Sequence, residues 1–393
     1  MGLTKNALHD PPGRKRIAII GIKGLPSKGG GERVAEAIIE AALKEGYKVT
    51  VYGKKEYCQS PYIRENLDIV LIRSLKGKHL GGFSFGILSA LHCLLWGRYH
   101  LIHLHYADFG YIVPLLRLRY KVVGTSHGAE YHRDKWNCLA KLFFRLSEQL
   151  FVRFCNIVTC VSKPLADYYR NTYGKSIIFI PNGVCPLYPA LEPSERLTYP
   201  GLDLAKNEYL VFAAGRIIPS KGCELLMQAN RKLALKIPLV IVGDMDGDSS
   251  YSHYLESLAN NNVVFTEFIA RKEALFSLIS NCRFFIFPSI YEAMSMMLLE
   301  VASLKKPIIC SDIAENMHAI GENALFFRSG DSESLAEKIE YALSHPEHLD
   351  EIALRAYSWI IRKRSWQVIT PAYIFLYKNA FSDRAPYARR SLS

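Results

Sequence analysis

Short runs rich in β-branched and aromatic residues alternate along this chain with longer amphipathic stretches, and the alternation occurs twice. The first series of runs covers 16–21, 48–53, 69–74, 101–105, 121–125, 157–162 and 177–181. The second covers 209–215, 239–243, 263–268, 284–288, 307–310 and 324–327. Several runs are almost wholly apolar, as strands must be when a parallel sheet is covered on both faces. Apolar residues at helical spacing fill intervals such as 32–45, 141–154, 223–234 and 332–344. Strand, helix, strand, repeated, specifies a doubly wound parallel sheet. The fold class is therefore α/β, with two Rossmann-like domains expected to face each other across a cleft. Ligands of such sheets sit beyond the carboxyl ends of the strands.

Length agrees with two domains, because 393 residues exceed one ordinary core. A flexible N-terminus (1–13) precedes the first domain (14–190). Pro186, Pro189, Pro193 and Pro200 mark a weakly periodic stretch, and the linker is placed at 191–206. The second domain spans 207–365. The segment 366–393 is expected to pack back toward the first domain and to end in a mobile basic tail. Residues 1–13 contain no apolar core of a signal peptide. The stretch 79–97 lacks any Asp, Glu, Lys or Arg but carries Gly81, Gly82, Gly86, Ser84, Ser89, His79 and His92, and it reads as a loop leading into a buried or membrane-facing helix. The nine cysteines form no C-x-x-C pair, which fits a reducing cytoplasm better than a disulfide framework.

Charge is unevenly placed. The net charge is +12, yet residues 1–200 hold 28 Lys and Arg against 15 Asp and Glu, and the remainder hold 21 against 22. The first half should meet something anionic: nucleic acid, an acidic membrane surface or a diphosphate-linked lipid.

Four strand-end motifs carry chemistry. Gly21-Ile22-Lys23-Gly24 leads through Gly29, Gly30 and Gly31 into a helix, where free amides can meet an anion. The loop matches neither the ATPase phosphate loop nor the dinucleotide fingerprint, which disfavours an NAD oxidoreductase. His127 follows a strand and can hydrogen-bond a sugar hydroxyl, whereas His103 and His105 lack an evident third metal ligand. Gly215-Arg216 and Lys221-Gly222 place two cations on one loop, as a diphosphate leaving group requires. Glu292 and Glu300 flank a helix expected to begin near Ala293. They would stand roughly 12 Å apart along its axis, with the amides of Met294, Ser295, Met296 and Met297 at its positive end. Carboxylates so placed suit a ligand with hydroxyls at both ends. Asp244-Met245-Asp246 resembles a metal motif, but Leu255 stands where a calcium loop needs its last carboxylate.

Together with Val161-Ser162 and Ile180-Pro181-Asn182-Gly183-Val184, this ordered set resembles the family 4 retaining glycosyltransferases of GT-B fold. The run from His127 to Trp136 resembles a bacterial branch linked to rhamnosyl- and hexosyltransferases of surface polysaccharides. The resemblance implies that Arg216 and Lys221 hold the donor diphosphate, with Gly215 on the same loop. It implies that Glu300 binds the ribose and Glu292 the donor sugar hydroxyls. Backbone groups of Met294, Ser295, Met296 and Met297 would touch sugar and phosphates. His127 would contact the sugar near the reacting carbon, and Gly29 and Gly30 would close over the diphosphate. No metal or other cofactor is implied, and front-side attack with a donor phosphate oxygen as base would retain configuration. Ala293-Met294 and Ser295-Met296 depart from the family's usual small residue and aromatic after the first Glu.

The expected function is transfer of a hexose, N-acetylhexosamine or 6-deoxyhexose such as rhamnose from a nucleotide-diphosphate sugar. The acceptor would be lipid-linked or an oligosaccharide. The expected partners are an anionic membrane surface, met peripherally at the inner face of the cytoplasmic membrane, and no nucleic acid. A GT-B sugar-nucleotide epimerase would turn over donor without acceptor, and a non-catalytic binding protein would bind donor without transfer.

Overall fold

The computed structural model describes residues 13–27, 29–58, 62–75, 77, 80–128, 137–185, 208–245 and 250–382. The expected linker at 191–206, the basic tail after 382 and nearly all of the N-terminal segment 1–13 lie outside them. Two compact units divide the chain: Met1–Ile180 with Thr370–Ser393, and Pro181–Ile369.

The first unit is built on a seven-stranded, all-parallel sheet. Its strands are β1 (Arg16–Ile20), β2 (Lys48–Lys54), β3 (Leu67–Ile72), β4 (Leu101–His105), β5 (Lys121–Ser126), β6 (Ile157–Cys160) and β7 (Ile178–Phe179), in spatial order β3-β2-β1-β4-β5-β6-β7. Central strands are buried on both faces: all five residues of β4 and the last four of β1 are inaccessible. The edge strand β3 keeps only Ile72 buried. The helices are α1 (Gly30–Lys44), α2 (Leu80–Trp96), α3 (Val113–Leu116), α4 (Cys138–Phe154) and α5 (Lys163–Tyr173). Gly81, Gly82 and Gly86 do not form a loop; they lie inside α2. Two of the three, Gly81 and Gly86, are buried, and they let the helix approach the unit closely.

The second unit repeats the plan with β8 (Leu210–Arg216), β9 (Leu239–Asp244), β10 (Val263–Thr266), β11 (Phe285–Phe287), β12 (Ile308–Ser311) and β13 (Leu325–Phe327). Their order is β10-β9-β8-β11-β12-β13, again all parallel. The helices are α6 (Cys223–Leu233), α7 (Ser250–Leu258), α8 (Lys272–Asn281), α9 (Met296–Ser303), α10 (Ala314–Ile320), α11 (Ser332–Ser344) and α12 (Pro346–Arg364). The last helix, α13 (Trp366–Phe381), contains the change of unit at Ile369 and Thr370. Its later residues pack on the first sheet, where Tyr377 hydrogen-bonds His103 at 2.6 Å and the carbonyl of Ala380 accepts from Lys121 at 2.8 Å.

In each sheet the strand order reverses once, between β1 and β4 in the first and between β8 and β11 in the second. A crevice opens beyond the carboxyl ends of two strands whose connections leave in opposite directions. The motif loops after β1, β8 and β11 occupy these two positions, and His127 follows the next strand over, β5.

Candidate functional site

In the second unit, β8 runs into Gly215 and Arg216, both exposed, with a register irregularity between Ala213 and Arg216. A short turn (Pro219–Lys221) and Gly222 then lead into α6. On the neighbouring strand, β11 ends at Pro288-Ser289 and continues as a loop to α9. The two loops are fastened together. Ile290 donates its amide to the carbonyl of Ser220 at 3.0 Å. Gly222 has φ of +67°, and a Cβ there would collide with the carbonyl of Pro288. Only glycine meets both demands at that position.

This fastening brings Lys221 to Glu292, with Nζ 2.5 Å from Oε1. Both side chains are mostly shielded, at 24% and 10% exposure, so the pair is stronger than a surface ion pair. Lys221 is therefore not an unengaged cation awaiting an anion. Arg216 makes no ion pair among the described residues and supplies the loop's unbalanced positive charge.

The helix after Glu292 begins later than the sequence indicated. α9 starts at Met296, and residues 292–295 are not helical, so the 12 Å axial separation of Glu292 and Glu300 does not apply. Ser295 is the N-cap, its hydroxyl accepting from the amide of Leu298 at 3.4 Å. Met294 and Met296 are buried and Met297 is half-buried. Asn182 holds Met294 by two contacts: its side-chain amide donates to the Met294 carbonyl at 3.1 Å, and its backbone amide meets Sδ at 3.0 Å.

Glu300 is 1% exposed and pairs with Lys272, whose Nζ lies 3.0 Å from Oε1. The same ammonium lies 4.9 Å from the centre of the Phe276 ring. A second acid, Glu315, stands near Glu292. Burial raises its pKa above the usual carboxylate value; its own backbone hydrogen bond and His318 oppose the rise, and the charge of Glu292 adds to it. Sequence reading missed Lys272, Glu315 and the clamp by Asn182. A long-range ion pair leaves no spacing signal, although the Asn182 motif was visible as a motif.

In the first unit, Gly29 is the N-cap of α1 and Gly30 and Gly31 form its first turn. Glu32 is buried, and its carboxylate lies against Gly29. An anion at this helix start would meet a like charge unless Glu32 moved. The hydroxyl of Tyr106 lies against Gly31, and its ring is 4.7 Å from that of His127. Tyr106 has φ of 68°, a strained value for a tyrosine, directly after β4 at the strand-order reversal.

His127 belongs to a stack of three imidazoles. The rings of His103 and His105 are 4.3 Å apart, and those of His105 and His127 are 5.2 Å apart and within 13° of parallel. His103 bonds Tyr377 and, at 2.7 Å, Thr125, whose hydroxyl meets Thr159. His105 Nδ1 is 2.9 Å from His127 Nε2. Burial depresses all three pKa values, His103 and His127 to about 3, and the neighbouring rings add to the effect on His103 and His105. The rings are thus neutral at pH 7, and one nitrogen of the His105–His127 bond must donate. His105 Nε2 has no partner among the described residues. An unmet buried N–H is rarer than an unmet acceptor, which assigns the proton to His105 Nδ1. His127 then accepts at Nε2 and carries its own N–H at Nδ1.

Asp246 and Asp248 lie outside the described residues, as does 129–136 of the run after His127. Among the described residues no group of three His, Cys, Asp or Glu could hold a metal ion. No helix of the described residues is long and apolar enough to cross a membrane.

Residues 28–186 match the family described as Glycosyltransferase Family 4, and residues 200–359 match Glycosyl transferases group 1. The capsular polysaccharide biosynthesis glycosyltransferase CapM of Staphylococcus aureus is 25% identical over 42% of this chain, and the match spans 45% of that relative's length. The N,N'-diacetylbacillosaminyl-diphospho-undecaprenol alpha-1,3-N-acetylgalactosaminyltransferase of Campylobacter jejuni is 25% identical over 76% of this chain and 77% of its own. Among solved structures, sucrose-phosphate synthase from Thermosynechococcus elongatus has a TM-score of 0.77 at 19% identity, covering 94% of this chain and all of that one. Anabaena HepE in complex with UDP and glucose has a TM-score of 0.75 at 17% identity, covering 93% of this chain and 100% of its own.

Proposed function

Given that this chain belongs to the family 4 glycosyltransferases, we propose that it moves a sugar from a nucleotide-diphosphate sugar, with retention, onto a lipid-linked or oligosaccharide acceptor of a surface polysaccharide. The sugar is a hexose, an N-acetylhexosamine or a 6-deoxyhexose such as rhamnose. The observation that carries this reading is the Lys221–Glu292 pair beside exposed Arg216 at the strand-order reversal of the second sheet.

The donor binds by exchanging partners. Its diphosphate takes Lys221 from Glu292 and meets Arg216, while Glu292 turns to the hydroxyls of the donor sugar. Glu300, positioned by Lys272, accepts the ribose hydroxyls. Backbone groups of Gly215, Met294, Ser295, Met296 and Met297 line the remainder of this half-site. In the first unit, the helix start at Gly29 and Gly30 can take a phosphate oxygen once Glu32 turns away, and His127 can offer its N–H to a sugar hydroxyl. In the transfer step the bond from C1 to the phosphate oxygen breaks and a bond from C1 to the acceptor oxygen forms. The acceptor proton passes to a phosphate oxygen of the departing nucleoside diphosphate. The chain supplies orientation and charge stabilisation, and no metal is required.

A lipid diphosphate acceptor, of the kind named for the C. jejuni relative, agrees with the basic first half of the chain and with peripheral contact to an acidic membrane face. A thermal-shift screen of nucleotide sugars tests the donor site, because the true donor raises the melting temperature by mass action. Arg216→Ala and Glu300→Ala should each abolish the shift. Full retention in both would show that the donor binds elsewhere.

A further inference from the structure

We propose that α2 and α4 form a docking face that lies in the plane of an anionic lipid bilayer. The inference deepens the peripheral-membrane part of the proposed function and rests on it.

Amphipathicity in α2 is inverted. The residues it buries are mainly small: Gly81, Ser84, Gly86, Ser89, Ala90 and Cys93, with Phe85. Most large residues face outward, with Ile87 and Leu94 packed partly on the core. Leu80, Phe83, Leu88, Leu91 and Leu95 are all exposed and, at 100° per residue, share one face of the helix. Trp96 follows at 67% exposure. A surface helix of a protein bathed only in water carries its large apolar residues on the other side.

α4 continues the surface. Leu139, Leu142 and Leu146 are exposed, the first at 78%. The two helices meet through aromatic contacts: Phe83 stacks on Tyr111 at 5.1 Å and meets Phe143 edge-on at 5.9 Å. The exposed apolar side chains of α2 thus continue, through Phe83 near its start, onto those of α4.

Charge selects the occupant. Residues 80–128 carry Arg98, Arg117, Arg119 and Lys121 against the single acid Asp108. Residues 137–154 carry Lys141, Arg145 and Arg153 against Glu148, whose carboxylate is buried and held by Tyr169 and Tyr173. Arg119, whose guanidinium donates to the Leu94 carbonyl of α2, and Lys141 and Arg145, next to Leu142 and Leu146 on α4, set cations beside these apolar side chains, as a bilayer interface with anionic headgroups requires. α2 spans 17 residues, about 25 Å at 1.5 Å per residue, and one side is committed to packing on its own unit. It is placed to lie in the interface and not to cross it.

The test is flotation of the purified full chain with vesicles of equimolar phosphatidylglycerol and phosphatidylcholine, with Trp96 emission as a second readout. The wild type should float, shift its emission to the blue and bind less as salt rises or when pure phosphatidylcholine is used. The double variant Leu91→Glu/Leu95→Glu replaces exposed side chains and should fold. It should lose on the order of a hundredfold in partitioning. Its nucleotide-sugar thermal shift should survive, which separates failure of docking from failure of the donor reading. Equal flotation by the variant, or none by the wild type, overturns the proposal. A wild-type dimer in light scattering that this variant splits, without flotation, would assign the face to a second copy and also overturn it.

Discussion

Acidification should loosen the first unit from its centre, through His103 and His105. Both imidazoles are inaccessible, and burial holds their pKa values far below the ordinary 6.5, at about 3 for His103. Native rings therefore stay neutral where unfolded ones charge. The stability they contribute is complete above pH 6.5 and is lost as pH falls toward 3. Each ring costs about 1.4 kcal/mol per pH unit within that window. At pH 5.5, one unit below the unfolded value, the two together should remove about 3 kcal/mol. That is a large share of a stability of order 5–15 kcal/mol. His127 is left out of the sum because it is partly exposed. The assay is native-state amide exchange of β4 at pH 7.5 and 5.5, which isolates this unit from the other. His103→Gln keeps a side chain able to reach Tyr377 and Thr125 but cannot titrate. It should lose about half of the wild-type change in opening free energy. A wild type whose opening energy is the same at both pH values refutes the reasoning. So does a His103→Gln protein with the full wild-type change.

Three further outcomes follow from the second unit. Gly222→Ala should lower stability by about 1–3 kcal/mol in denaturant unfolding, since its φ and the Pro288 carbonyl both oppose a Cβ, and it should weaken the donor thermal shift by separating the two loops. Lys221→Met should destabilise the donor-free protein by about 1–3 kcal/mol because Glu292 is left without its counter-charge, and adding Glu292→Gln should recover most of that loss in a double-mutant cycle. Glu315→Gln should raise the melting temperature at pH 7 and not at pH 4: a carboxyl whose native pKa is raised loses stability as pH climbs from the unfolded value through the native one, and costs nothing below both.

The strands were legible because a parallel strand covered on both faces must be apolar throughout, as in 101–105 and 284–288. Positions at the ends of β1, β5, β8 and β11 were therefore recognisable from the sequence. The start of α9 was misplaced because Ala293 and Met294 favour helix locally. The readable sign was Ser295, an N-cap residue directly before an apolar run. Lys272 was not legible as a partner of Glu300, because only the folding of α8 beside α9 brings them together. The stretch 79–97 showed its lack of charge but not its inversion, which depends on knowing which side of α2 meets the sheet.

The two ion pairs of the second unit bear on which ligands are refused. With Lys221 on Glu292 and Lys272 on Glu300, the donor-free surface offers a stray anion little beyond Arg216. Inorganic phosphate or pyrophosphate must pull Lys221 away and leaves Glu292 stranded, because it brings no hydroxyl to replace the lost ammonium. A sugar nucleotide brings a diphosphate for the lysine and hydroxyls for the glutamate in one molecule. In the proposed donor site the pairing acts as a two-key lock, opened only when both chemistries arrive together.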